Sequence, residues 1–140
     1  FCFFEEQGYR PIMKANIINK SFSIRKNNTK LIIKPFQVTH GLIKSTGYVI
    51  DKIAYISDCN NISLKNIDHL KNLNYLVLDC LKIDKHPSHF NLEEALNLIN
   101  ITKPKKAILT NLHTDLDYFK LKKFLPKNII PAYDGLSFTS

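Results

Sequence analysis

The feature that most constrains the fold is a change of pattern at Asp58. Before it, the chain runs in short stretches rich in Ile, Val, Phe and Tyr: Arg10 to Ile18, Ser21 to Ile24, Lys30 to Val38, Gly47 to Ile50 and Ile53 to Ser57. Asn27-Asn28, Gly41 and Asp51-Lys52 part them. β-branched and aromatic side chains suit a pleated, half-buried surface, while Asn, Asp and Gly tolerate the backbone of tight turns. The first half therefore reads as antiparallel β, with Asp51-Lys52 as a two-residue hairpin connection. After Asp58 the pattern alternates. Leu64, Ile67, Leu70 and Leu73 have helical spacing, with Ser63 as N-cap. Tyr75 to Leu78 is a continuous apolar run, as in a strand covered on both faces. A second helix runs from Leu92 to about Ile101, opened by Asn91 with Glu94 as capping-box partner and barred from continuing by Pro104. Ala107 to Leu109 is the next buried strand and Tyr118 to Leu125 a third helix; Ile129-Ile130 and Leu136 to Phe138 close the chain. The second half is β-α-β-α-β, which makes the whole an α/β chain. Without an internal repeat, low-complexity tract or linker, residues 1–140 read as a single domain.

Metal-binding side chains fall at the ends of these strands. His40 follows Leu31 to Val38, Asp58 follows Ile53 to Ser57, Asp79 follows Tyr75 to Leu78, and His113 follows Ala107 to Leu109. Strand ends are rigidly placed while their side chains escape the packed core, so function gathers there. Imidazole and carboxylate are donors that zinc, manganese and iron accept in hydrolytic sites. The bland alternative is that such residues only form turns and solvated caps. His86 and His89, just ahead of the second helix, could face an anion at its N-terminus, with His89 as a proton donor, or could hydrogen-bond within a turn set by Pro87 and Ser88. Asp115 and Asp117 read as caps of the third helix before they read as partners of His113.

Five segments, in order and spacing, resemble the latter part of metallo-β-lactamase-fold hydrolases: Val38-Thr39-His40-Gly41, Ala54 to Asp58, Leu76 to Leu81, His86 to Ala95, and Ile108 to Tyr118. Within that superfamily the resemblance is to the branch of phosphoribosyl 1,2-cyclic phosphate phosphodiesterase and, more distantly, to the tRNA 3′-end processing endonucleases. It implies an αββα sandwich of which this chain is the C-terminal portion. It also implies a site for two divalent ions, zinc or manganese, with His40, Asp58 and His113 as ligands and Asp58 as the bridging carboxylate. A water between the ions, made acidic by them, would attack phosphorus. His89 would assist the leaving group, and His86 with His89 would contact the phosphate. The substrate implied is a small, cyclic phosphodiester.

Two departures bear on this. Related endonucleases often carry the final His directly after a Leu-Thr pair, where this chain has Asn111. His113 is taken as the ligand because Asn111 and His113 share a face if the strand continues, and imidazole is much the better metal ligand. The upstream His-x-His-x-Asp-His motif is also missing: among His40, His69, His86, His89 and His113, no two are separated by one residue. The two-ion site is thus incomplete in this chain, which starts at Phe1 with Met13 as its one methionine and is expected to be a fragment. The alternatives are a non-catalytic truncated remnant and an RNA-processing nuclease of the tRNA 3′-end type.

The totals narrow the classes further. Four glycines in 140 residues leave no phosphate-cradling glycine loop. Cys2, Cys59 and Cys80 form no C-x-x-C pair, so neither a disulfide framework nor a cysteine zinc site is indicated, and a cytoplasmic setting fits. Twenty Lys and Arg against 12 Asp and Glu give +8, but the lysines are scattered and only Arg10 and Arg25 are arginines, which argues against nucleic acid as partner. No apolar stretch approaches the roughly 18 residues of a membrane helix. A small-molecule phosphodiester is the expected partner, and a homodimer the candidate assembly.

Overall fold

The computed structural model describes residues 16–18 and 20–139. Seven strands lie in one mixed sheet, in sequence order: β1 (Phe22–Lys26), β2 (Thr29–His40), β3 (Ile43–Ile50), β4 (Ile53–Ile56), β5 (Tyr75–Asp79), β6 (Lys106–Thr110) and β7 (Ile129–Pro131). β1 to β4 pair antiparallel, and β4 to β7 parallel. The change from antiparallel to parallel pairing falls where the sequence pattern changes. Two-residue turns are enough to join antiparallel neighbours, whereas parallel ones need a crossover long enough for a helix. Lys26 pairs Thr29, His40 pairs Ile43 and Ile50 pairs Ile53 across three such turns. Asn27, Gly41 and Asp51 supply the positive φ these turns require, at 52°, 61° and 51°. The strand expected over Arg10 to Ile18 lies largely outside the described residues, and Asn16 to Ile18 are in no strand.

The crossovers carry α1 (Leu64–Ile67) with a 3-10 turn at Asp68–Leu70, α2 (Leu92–Thr102) and α3 (Tyr118–Phe124). The helix expected over Leu64 to Leu73 is thus only one α turn followed by a tighter one. Ser63 makes no side-chain capping bond, and Leu64 stays 86% exposed while Leu70 and Leu73 enter the core. A stretch with so few buried contacts and no cap has little to hold a regular helix. By contrast α2 has the full capping box: Glu94 N–H donates to Asn91 Oδ1 at 2.8 Å, and Asn91 N–H to Glu94 Oε2 at 3.1 Å.

The core lies between one sheet face and these helices. Phe36, Val38, Val49, Ala54, Ile56, Leu76, Leu78, Ala107, Leu109 and Ile129 pack with Leu70, Leu73, Ala95, Leu98, Ile99 and Leu121. Gly47 leaves room for the Phe36 ring, since a Cβ there would sit 2.7 Å from Phe36 Cζ. The opposite face carries a second apolar row, Tyr48, Tyr55, Val77, Ile108 and Ile130, paired in register across five strands. The mixed sheet with helices is the α/β architecture the sequence called for, and one sheet accounts for all strands among the described residues. None of the described helices is long and apolar enough to cross a membrane.

Candidate metal centre

Because β2, β4, β5 and β6 all run the same way, their C-terminal ends share one edge of the sheet. His40 ends β2, Asp58 follows β4 by two residues, Asp79 ends β5 and Asn111 follows β6 by one. The loop from β5 to α2 brings His89 over the same edge. His40, Asp58 and His89 present nitrogen or oxygen donors that all lie within 4.8 Å of one another. The rings of His40 and His89 meet edge to face, with centroids 4.7 Å apart.

Each imidazole is oriented from behind. His40 Nδ1 is 2.8 Å from the Ser88 carbonyl oxygen, which can only accept, so Nδ1 carries the proton and Nε2 keeps its lone pair. His89 Nδ1 likewise lies 2.8 Å from Asp79 Oδ2. Asp79 is fully buried and accepts on both oxygens: Oδ2 from Cys59 N–H at 2.8 Å and from His89, Oδ1 from the Asn111 amide at 3.0 Å. A buried carboxylate persists only when its lone pairs are so occupied. Asp58 is exposed; its Oδ1 accepts from Ser57 Oγ at 3.0 Å and from Asn111 Nδ2 at 3.4 Å. Asn60 ties the loops together, accepting from Gly41 N–H at 3.0 Å and donating to the Pro87 carbonyl at 3.0 Å. Gly41 also meets this loop directly: a Cβ on it would stand 3.0 Å from Ser88 Cβ.

Not every candidate reaches the cluster. His113 is half exposed, 3.2 Å from Asp115, and its N–H is held by the Leu81 carbonyl at 2.8 Å. β6 ends at Thr110, and Asn111 takes a left-handed φ of 62°. The alternation that would place Asn111 and His113 on one face therefore stops before it can act. Asn111 is the one of the two that meets Asp58, Asp79 and His89. His86 accepts from Ser88 N–H at 3.4 Å within its own turn, and its ring lies 5.1 Å from that of His89. Leu92 N–H at the start of α2 donates to the Lys82 carbonyl and Glu94 N–H to Asn91, so these two amides already have partners. Asp117 caps α3, accepting from Lys120 N–H at 2.8 Å, as its position before Tyr118 suggests.

The sequence puts Asp79 among the strand-end residues but does not reveal its place behind His89. The signal available is a charge that directly ends a run of buried residues, Leu76 to Leu78. Cys59 and Cys80 flank Asp79, and burial, reinforced by the nearby Asp79 charge, pushes both thiols up to about 12. They stay protonated at neutral pH and are poor nucleophiles and metal ligands.

The beta-lactamase superfamily domain model matches residues 1–111. The chain belongs to that family. Among solved structures, this superfamily chain superposes on a protein described as a new diphosphatase from the PhnP family with a TM-score of 0.80 and 26% identity, over 88% of this chain and 48% of that one. It shares its fold with the metallo-β-lactamase fold protein YhfI from Bacillus subtilis, at TM-score 0.64 and 16% identity over 82% and 51% of the two chains. Human tRNase Z, short form, gives 0.61 and 17%, over 84% and 46%. In sequence it is 32% identical over 109 residues to the octanoyltransferase of Porphyromonas gingivalis, covering 76% of this chain and 22% of that protein. The chain thus spans about half the length of the solved structures and about a fifth of that curated relative.

Proposed function

We propose that this chain is the C-terminal part of a metal-dependent phosphodiesterase acting on small, cyclic phosphodiesters. The observation that carries the reading is the meeting of His40, Asp58 and His89 at one sheet edge. Two imidazoles, each held through Nδ1 so that Nε2 is left for an ion, and an exposed carboxylate are a donor set suited to zinc or manganese. His40 and Asp58 would hold the ion. A bound divalent ion supplies Lewis acidity and makes a coordinated water more acidic. His89, the imidazole with a buried carboxylate behind it, is placed to hold a proton for the leaving oxygen, Asp79 fixing its tautomer. A polar recess of about 360 Å³ lined by Thr110, Asn111, Leu112, Ala132, Tyr133 and Asp134 adjoins Asn111 and would take the part of the substrate that does not react.

The test uses a longer coding sequence that restores upstream residues, purified with manganese or zinc and assayed on bis(p-nitrophenyl) phosphate. Turnover and bound metal should both fall with Asp58→Ala. Absence of turnover, together with metal content unaffected by that substitution, would overturn the reading. The likeness to a diphosphatase favours a second substrate, a P–O–P phosphoanhydride, and the same preparation assayed on a dinucleoside pyrophosphate separates the two.

A further inference from the structure

We propose that the Asn111 side-chain amide stands in the place of a second cation, so that the His40, Asp58 and His89 cluster of this chain takes one divalent ion. This rests on the metal-site reading above and goes beyond it in stoichiometry, since the family resemblance implies two ions. The Asn111 nitrogen lies 3.0 Å from Asp79 Oδ1, 3.4 Å from Asp58 Oδ1 and 3.3 Å from His89 Nδ1. The amide orientation is fixed by chemistry, because an inward-facing oxygen would oppose two carboxylates. The amide donates to both Oδ1 atoms, the role a cation between the two carboxylates would otherwise fill. Asp58 Oδ1 also accepts from Ser57 Oγ, so Oδ1 carries two hydrogen bonds. His113, the nearest remaining imidazole in sequence, is held away by Leu81 and Asp115. The amide thus satisfies the carboxylates as a cation would, without charge.

The experiment measures zinc per chain by inductively coupled plasma mass spectrometry after loading the 140-residue protein and dialysing it. Two variants are compared with the native chain: Asn111→Asp, which keeps the shape but puts a third carboxylate oxygen at that point, and Asn111→His. Asp and His, like Asn, are enriched at left-handed positions, so both can hold the backbone, and circular dichroism checks their folding. One zinc on the native chain and two on either folded variant is the expected result. Two zincs on the native chain, or one on both variants, overturn the proposal and leave the metal site standing. None on the native chain overturns the metal site itself, and the proposal with it.

Discussion

Asp79 shows how one side chain organises the site while remaining fully out of solvent. Its oxygens take a backbone N–H from Cys59, the His89 ring and the Asn111 amide. Asp79→Ala leaves the buried Cys59 N–H without its acceptor, releases His89 and Asn111 and opens a small cavity, so it should lower unfolding free energy by about 3 kcal/mol. A shift of the urea midpoint in the metal-free chain reads this directly. The neighbouring thiols give a pH prediction. Cys59 and Cys80 are raised from 9.0 to about 12, so the folded state resists their ionisation. Their contribution to stability is complete below pH 9 and is lost as pH climbs from 9 towards 12. At pH 8 a thiol-disulfide reagent should label these two cysteines in urea and leave them unlabelled in buffer.

At the scale of elements, the start of α2 is written in the sequence as a full capping box, and that of α3 as a single Asp117 cap. Asn91 and Glu94 satisfy each other's backbone donors, and Ala95, Leu98 and Ile99 bury one face. Asn91→Ala should cost about 1 kcal/mol, seen as a lower midpoint in thermal or urea unfolding. Because Asn91 follows His89 by two residues, fraying there would also loosen the loop that carries the imidazole. The strands were legible for a different reason. Runs of Ile, Val, Phe and Tyr fit a pleated surface in either register, and Asn27, Gly41 and Asp51 mark turns that only a positive φ can make. α1 was less legible, because apolar spacing predicts a helix without saying which of those residues the core will accept.

Over the whole molecule, the parallel run of β2, β4, β5 and β6 turns separate sequence signals into one site. Metal binding should therefore stabilise the fold as a unit, since the donors come from segments as far apart as residues 40 and 89. Zinc at a hundred times its dissociation constant should add about 2.7 kcal/mol to unfolding free energy. Differential scanning calorimetry should show the corresponding rise in Tm, absent in Asp58→Ala.

The amino-acid sequence by itself determined the strand and helix order, the hairpin turns, the α2 cap and the presence of His40 and Asp58 at strand ends. These follow from local chemistry: side-chain shape, turn backbone and apolar period each act within a few residues. Only the tertiary structure decided between Asn111 and His113. Alternation would align the two if β6 continued, but its pairing with β7 ends at Leu109 and Pro131, and the Leu81 carbonyl takes the His113 N–H. Where a strand ends is set by its neighbours in the sheet. The residue that faces the site was therefore fixed by segments about 20 to 30 residues away on either side, which no local pattern at Asn111 encodes.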